Sequence, residues 1–210
     1  RLAKKGTLVT DIRFYHDDMR EIEERDGADA VQAQYVFGNG IDEVLTKEAG
    51  GQTYYYHNNS LGSIAALTDA NQTILERVTY DAYGAPSFFD ANFNLIGTAS
   101  STGNAILYTG RRLDEETGLY YYRNRFYNPA LGRFIERDPM GYAAGSMSLY
   151  EYMSNNAINS VDPMGLGDEF NVTGDARAAA SGSLSEGAAL AEKLGRSISD
   201  AKYVRTWTGL

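Results

Sequence analysis

Cysteine is absent from this sequence of 210 residues, and histidine occurs only twice, at His16 and His57. Without cysteine the chain has no disulfide, no thiolate metal site and no cysteine nucleophile. Two histidines are too few for a histidine-rich metal centre, so we expect neither a metal nor a cofactor. The chain also lacks the Gly-x-Ser-x-Gly motif that carries the nucleophile of many serine hydrolases.

Basic residues are also scarce: 19 Lys and Arg stand against 28 Asp and Glu, which gives a net charge of -9. Because binding of nucleic-acid phosphates needs a basic surface, this charge argues against a nucleic-acid partner. The sequence has no apolar run of about eighteen residues, so we expect no membrane span. It begins Arg1-Leu2-Ala3, without an initiator methionine or a signal peptide, and we expect it to be a segment of a longer chain.

Tyrosine and glycine are abundant, with 16 and 22 copies, whereas proline occurs only four times. Tyrosine favours strands and glycine marks turns, so this composition predicts a mainly β fold of short strands. The most distinctive segment is Leu119–Tyr127, which we predict to be one continuous strand with alternating faces. Buried packing is the expected role of its tyrosines. We predict a loop or an edge insertion at residues 85–105.

Two further segments differ from this strand pattern. The acidic run from Asp17 to Asp26 is typical of a solvated turn face, since it lacks the spacing of a calcium-binding loop. After Leu166 alanine and serine dominate, and Leu184, Leu190 and Leu194 predict one short amphipathic helix. Residues 167–210 are therefore predicted to be a partly helical C-terminal extension, too short for a complete core of its own.

One tetrapeptide, Asp-Pro-Met-Gly, occurs twice, at 138–141 and at 162–165. Asp, then Pro, then Gly two residues later is the preferred pattern of a type I turn, in which Pro fixes φ and Asp caps the turn. Taken alone, these residues favour two purely structural turns. Their turn-shaping residues are Pro139, Gly141, Pro163 and Gly165.

The same two turns, packed side by side, would bring Asp138 and Asp162 face to face. Two carboxylates about 3 Å apart cannot both ionise, so they share one proton. One then acts as a base that activates water, and the other as an acid that polarises a carbonyl group. Asp138 and Asp162 are thus candidates for a catalytic pair of carboxylates, and the structural interpretation stays open beside this one.

Residues 110–166 contain the most specific stretches of the sequence. They are GRRLDEETGLYYYRNRFYNPALGRFIERDPMG at 110–141, LYEY at 149–152, NNAIN at 155–159 and VDPMGL at 161–166. These stretches closely resemble the repeat-associated core of Rhs/YD-repeat proteins. Tyr54–Gly62 and Tyr80–Gly84 look like YD repeats of the same proteins, so the resemblance covers roughly residues 10–166.

The resemblance implies a fold in which YD repeats form a β-sheet that spirals into a hollow shell. The core plugs one end of the shell, and a variable C-terminal region, often a toxin, lies inside. It implies a YD-repeat sheet segment at 1–109, the core at 110–166 and the start of the variable region at 167–210.

The resemblance also implies a cleavage site. Several members cut their chain just after the second Asp-Pro-x-Gly-Leu, which corresponds here to the bond between Leu166 and Gly167. Arg137 matches an arginine of the family, and it would stabilise the developing oxyanion or lower the pKa of one aspartate. The alternative for Arg137 is a surface ion pair with Glu136 or Asp114.

Our leading hypothesis is therefore the core of a secreted polymorphic toxin that encloses a C-terminal effector and releases it by aspartyl autoproteolysis after Leu166. The expected partners are the enclosed effector, a toxin-delivery or secretion-system subunit, and an immunity protein. The expected location is outside the cell or on its surface. The alternative is a non-catalytic YD-repeat structural or adhesion protein of the cell surface.

Overall fold

The computed structural model describes residues 2–5, 11–144, 147–167, 170–171 and 205–208. Its strands are β1 (Leu2–Lys5), β2 (Ile12–Asp17), β3 (Arg20–Arg25), β4 (Val31–Phe37), β5 (Val44–Ala49), β6 (Gln52–Asn58), β7 (Ile64–Thr68), β8 (Ile74–Tyr80), β9 (Pro86–Phe89), β10 (Leu95–Gly97), β11 (Arg112–Asp114), β12 (Leu119–Tyr122), β13 (Arg125–Asn128), β14 (Arg133–Phe134), β15 (Ser160–Val161), β16 (Phe170–Asn171) and β17 (Arg205–Thr208). Short 3-10 helices occupy Tyr108–Gly110, Gly141–Ala144 and Met153–Asn155. The prediction of a mainly β fold is confirmed.

The strands form one large sheet and two smaller ones. In the large sheet, β1 to β10 follow one another as an antiparallel meander, and β17 pairs in parallel with β1 at one edge. The small sheet has the order β11-β12-β13-β14, and β15 pairs with β16 in an antiparallel ladder. The boundaries predicted at 109/110 and 166/167 stay predictions. The helix predicted around Leu184–Leu194 lies outside the described residues.

Five hairpin turns of the large sheet share one local mechanism. In each turn, Oδ1 of an Asp or Asn accepts the N–H groups of the residues two and four positions later, at 2.8 to 3.0 Å. Such a side chain satisfies backbone donors that the reversing strands leave unpaired. The first residues of these turns are Asp26, Asn59, Asp69, Asp81 and Asp90.

The segment 119–127, predicted to be one continuous strand, is instead a tight hairpin. β12 ends at Tyr122 and β13 begins at Arg125, and these two residues face each other across the turn. Arg123 adopts a positive φ of 60° to reverse the chain. The reversal brings Tyr120 opposite Tyr127, so both rings enter the core; a straight strand would have placed them on opposite faces.

Aromatic rings fill the core between the two sheets. Neighbouring rings have centroids 4.5 to 6.5 Å apart, mostly in tilted or edge-to-face arrangements that aromatic pairs prefer. The rings belong to Tyr80, Tyr108, Tyr120, Tyr122, Tyr127, Phe134 and Tyr152. Phe88 of β9 is buried in the same core, so of the two alternatives predicted for 85–105 the loop is wrong for β9 and β10, which form one edge of the large sheet.

The acidic run predicted to be solvated is partly buried. The side chains of Glu21 and Glu24 are only 14% and 13% exposed, because both contact Arg112 of the small sheet. Burial raises the pKa of Glu21 to about 7. Burial also acts to raise the pKa of Glu24, yet the charge of Arg112 and the hydrogen bond from Tyr35 outweigh it and lower the pKa of that carboxyl below its ordinary value. The local sequence gave no sign of Arg112, which lies far along the chain.

Candidate functional site

The two Asp-Pro-Met-Gly elements form turns of the same kind. Asp138 Oδ1 accepts the N–H of Met140 at 2.7 Å, and Asp162 Oδ1 accepts the N–H of Met164 at 3.2 Å. The glycines that close the two turns, Gly141 and Gly165, have φ values of +59° and +66°. Glycine adopts this left-handed conformation without the steric cost that a Cβ atom would add.

Both aspartates are buried, with Asp138 8% and Asp162 2% exposed. Buried carboxylates are costly unless a charge partner compensates them, and the partner of both is Arg125. Arg125 Nη1 lies 3.0 Å from Asp138 Oδ2, and Nη2 lies 3.4 Å from Asp162 Oδ2. The guanidinium therefore bridges the two carboxylates, and the described residues contain no direct hydrogen bond between them.

Arg125 is the residue of the site that the sequence analysis missed. It is buried, and its guanidinium carbon lies 3.6 Å from the centre of the Phe134 ring, so the guanidinium stacks on that ring. Arg137, the arginine predicted to serve the two aspartates, is exposed to solvent. Its catalytic role stays a prediction, whereas the contacts observed with both carboxylates belong to Arg125.

Asp162 also contacts the peptide bond predicted to be cut. Its Oδ1 accepts the N–H of Leu166 at 3.1 Å, and its Oδ2 accepts the N–H of Gly167 at 3.0 Å. Burial raises the pKa of Asp162, although the N–H groups of Gly167 and Leu166 and the charge of Arg125 act in the opposite direction. Asp162 therefore holds a proton more readily than an exposed aspartate, next to the nitrogen of the Leu166–Gly167 bond.

The two glycines have different surroundings despite their identical turn sequences. A Cβ atom on Gly165 would lie 2.4 Å from the carbonyl oxygen of Tyr122, a distance that Cβ atoms do not tolerate. A Cβ atom on Gly141 would meet nothing within 4 Å. The second turn is thus packed against the hairpin that carries Arg125, whereas Gly141 faces open space.

The predicted cleavage bond lies inside a hairpin loop. Ser160 and Val161 of β15 pair with Asn171 and Phe170 of β16, and the chain between them contains Asp162 and the Leu166–Gly167 bond. The ladder brackets the bond on both sides, so the loop is presented to the two carboxylates by its own chain.

This arrangement is suited to proton transfer at a peptide bond. It combines two buried carboxylates, one guanidinium and a backbone amide within hydrogen-bond distance of a carboxyl oxygen. Among the described residues, no group of His, Asp and Glu side chains is arranged to hold a metal ion. In the same part of the chain, no helix is long and apolar enough to cross a membrane.

Two curated relatives each match more than half of the chain. The chain is 32% identical over 160 residues to the tRNA3(Ser)-specific nuclease WapA of Bacillus spizizenii, which covers 75% of this chain and 7% of that protein. It is 31% identical over 125 residues to the toxin subunit YenC1 of Yersinia entomophaga, over 60% of this chain and 12% of that protein. These homologues are Rhs-type toxin proteins. The chain thus corresponds to a small part of the length of each.

A solved structure shares the fold. The crystal structure of TcdB2-TccC3 matches 78% of this chain and 8% of its own chain, with a TM-score of 0.58 and 24% sequence identity. No family model matches the chain. Its assignment to the repeat-associated core of Rhs proteins therefore rests on the sequence resemblance and stays a prediction.

Proposed function

We propose that this chain is the core of a secreted Rhs-type polymorphic toxin that cuts itself between Leu166 and Gly167. Its homology to polymorphic toxin and toxin-complex proteins supports a toxin role. The single observation that carries the cleavage is the position of Asp162, a buried carboxyl that contacts the nitrogen of this bond and shares Arg125 with a second buried carboxyl.

The two carboxylates have separate roles in this proposal. Asp138, as the general base, takes a proton from a water molecule that attacks the carbonyl carbon of Leu166. The carbon–nitrogen bond then breaks as Asp162 gives its proton to the nitrogen of Gly167. The products are a carboxyl group on Leu166 and an amine on Gly167. Asp162 suits the acid role because burial raises its pKa. In the uncut chain its Oδ2 accepts the N–H of Gly167 at 3.0 Å; once water has added to the carbonyl carbon, this nitrogen becomes pyramidal and gains the lone pair that takes the proton.

Arg125 separates these roles. The sequence predicts two carboxylates that share a single proton. Because each terminal nitrogen of Arg125 contacts one carboxylate, the pair does not have to share one. Its charge also compensates the negative charge that passes between the two aspartates during the reaction. Arg137 stays a candidate for stabilising the oxyanion from the solvent side.

The reaction takes place within one chain and needs no substrate affinity. The bond lies only a few residues after Asp162 and is bracketed by β15 and β16, so the loop is already in position. Such proximity replaces the binding step of an ordinary protease. The enzyme activity proposed here is therefore a single event per molecule.

In the whole protein, we infer that strands like those of the large sheet form the wall of a shell around the effector that follows Gly167. The partners would then be this enclosed effector, a toxin-delivery or secretion-system subunit and an immunity protein. The location would be outside the cell or on its surface. The alternative function is that of a non-catalytic structural or adhesion protein, in which both Asp-Pro-Met-Gly elements serve only as turns.

The deciding experiment is a measurement of the intact mass of the purified chain 1–210 over time. We expect a fragment that ends at Leu166 and a second that begins at Gly167. Asp138→Asn and Asp162→Asn should both leave the chain intact, because each removes one proton carrier. Asp69→Asn is the matched control, since Asp69 forms a similar turn in the large sheet, and it should be cut like the wild type.

Two results would contradict the proposal. If the wild-type chain stays intact under all conditions in which it is folded, the structural or adhesion function is favoured. If Asp162→Asn is cut at the wild-type rate, the carboxyl next to Gly167 has no part in the chemistry.

A further inference from the structure

The hairpin turn Tyr122–Arg125 holds the chain immediately before the proposed cut. Three consecutive side chains of this turn donate hydrogen bonds to three consecutive backbone carbonyl groups. The pairs are Arg123 Nη1 with Pro163 O, Asn124 Nδ2 with Met164 O at 2.9 Å, and Arg125 Nε with Gly165 O at 2.6 Å. We call this set of three contacts the carbonyl clamp.

The carbonyl clamp is fixed to the rest of the molecule at its first position. Arg123 Nη2 also donates to Asp42 Oδ1 at 2.7 Å and to Met19 O at 3.1 Å, both in turns of the large sheet. Arg111, like Arg123, contacts both Asp42 and Pro163: it donates to Asp42 Oδ2 and to the carbonyl oxygen of Pro163. Asp42 thus holds two arginines in place, and both hold Pro163.

The clamp is close-packed at its third position. The absence of a side chain on Gly165 lets its backbone approach the carbonyl oxygen of Tyr122 and the amide of Arg125. The same Arg125 that binds Gly165 O through Nε binds Asp138 and Asp162 through its two other nitrogens. One side chain therefore relates the position of the clamped backbone to the position of both carboxylates.

The Leu166 carbonyl is the first one beyond the clamp, and within the described residues no hydrogen bond to it is present. Asp162 holds the amides on both sides of it, those of Leu166 and Gly167. The bond that follows this carbonyl therefore lies at a fixed distance from the clamp.

We infer that the carbonyl clamp is a ruler that selects the peptide bond to be cut. The bond chosen is the one after the first residue beyond Gly165, whatever the side chain of that residue. This inference rests on the proposed function and adds the determinant of its specificity. Arg123 and Asn124 are positioning residues here, since they act on the backbone of the substrate segment and not on the reacting atoms.

Inserting one glycine between Gly165 and Leu166 tests the ruler directly. If the clamp sets the position, the chain is cut between the inserted glycine and Leu166, one residue earlier in the original sequence. If the leucine side chain sets the position, the cut stays after Leu166. Intact mass distinguishes the two products. Leu166→Ala should still be cut at the same bond, with a rate within about threefold of the wild type.

A pair of asparagine variants tests the clamp contact itself. Asn124→Asp places a carboxylate oxygen against Met164 O, so we expect cleavage to slow at least tenfold. Asn128→Asp is the matched control, because Asn128 Oδ1 accepts the N–H of Leu131 at 3.1 Å and an aspartate oxygen accepts it equally well. This control, with the same change in charge, should be cut within twofold of the wild-type rate. Near-ultraviolet circular dichroism checks that both variants keep the aromatic core.

The failure of the ruler differs from the failure of the proposed function. If the wild type is cut and Asp138→Asn is not, but the glycine insertion is cut after Leu166, the ruler is overturned and the protease remains. Equal rates for Asn124→Asp and Asn128→Asp would overturn it in the same way. A wild-type chain that is never cut overturns both.

Discussion

The turns at Asp69 and Asp162 share their local geometry and differ in their surroundings. In both, Oδ1 accepts the N–H groups of the residues two and four positions later. In Asp69 the backbone N–H of Thr73 lowers the pKa, whereas burial raises the pKa of Asp162. The same hydrogen bonds therefore give an ordinary carboxylate in one place and a proton-holding one in the other, because packing decides how much water reaches the group.

The second difference lies in the other carboxyl oxygen. Asp162 Oδ2 contacts Arg125 and the amide of Gly167, both supplied by the packing of the small sheet and the β15–β16 loop. The comparison teaches that a turn common in the large sheet becomes a candidate catalytic group when a buried cation and a peptide bond are brought to its free oxygen.

Removing the buried cation should break this comparison most severely. Arg125→Met leaves two buried carboxylates without their charge partner, and we expect a loss of about 3–5 kcal/mol in the free energy of unfolding. Arg133→Met is the control, since Arg133 is exposed and its guanidinium stacks on Tyr150, and it should cost less than about 1 kcal/mol. Unfolding in urea measures both, and equal losses would contradict the bridging role.

The glycines that close the two Asp-Pro-Met-Gly turns give a second test of how packing distinguishes turns of the same sequence. Gly165→Ala adds a clash with the Tyr122 carbonyl to the strain of a positive φ, and we expect it to cost about 2–4 kcal/mol. Gly141→Ala carries only the strain and should cost about 1–2 kcal/mol. The free energies of unfolding in urea should therefore differ, and a larger loss for Gly141→Ala would contradict the close packing of the second turn.

Glu21 is a further buried carboxyl whose raised pKa, like that of Asp162, can be tested by a pH dependence. Its pKa is about 7 in the folded chain and 4.5 in its ordinary state, so the folded state binds its proton more tightly. This contribution to stability is fully present below pH 4.5 and is lost as the pH rises through about 7. Glu21→Gln should remove a pH dependence of about 3 kcal/mol across this window, measured as the difference between wild-type and variant unfolding curves. Identical slopes in the two proteins would contradict the burial of its charge.

The pH dependence of cleavage tests Asp162 in its proposed role. Because Asp162 must carry a proton, the rate should fall about tenfold per pH unit once the pH exceeds its pKa. Since that pKa is raised, the fall should begin at a higher pH than an exposed aspartate with a pKa of 3.8 would give. A rate that rises steadily with pH would assign the acid role to another group.

The smallest effect is expected at the exposed end of the comparison. Asp69→Asn keeps the oxygen that accepts the N–H groups of Asn71 and Thr73, so the turn persists. We expect only a slight fall in the melting temperature, because the lowered pKa of Asp69 means that the folded chain mildly favours its ionised form. A fall of several degrees would show that the charge of Asp69, and not its turn geometry, stabilises the hairpin.

The mainly β fold and the choice of Asp138 and Asp162 as candidate site residues could be predicted from the sequence, because turn residues and a repeated tetrapeptide are local signals. It does not reveal Arg125, since alternation along Leu119–Tyr127 predicts a straight strand and hides the reversal at Arg123 and Asn124. That single misassignment also conceals the carbonyl clamp. A visible sign was the polar Arg-Asn-Arg run within an aromatic segment, which interrupts the alternation of buried tyrosines.

Burial of Glu21 and Glu24 escapes sequence analysis for a related reason. Their partner, Arg112, lies on another sheet far along the chain, and only the folded packing brings the three together. Contacts of this kind decide pKa directions, so the chemistry of a site is harder to predict than its turns.

Finally, the short β15–β16 pairing means that severing the backbone and losing the downstream piece are two separate steps. A cut between Leu166 and Gly167 opens the loop but leaves intact the two facing residue pairs of β15–β16 and the four of β1–β17. Net gains of about 1 kcal/mol per hydrogen bond mean that these pairs hold the downstream piece only by roughly a few kcal/mol. A denaturing gel would time the first step and size-exclusion chromatography the second, and the interval between them measures how long the nicked molecule stays closed.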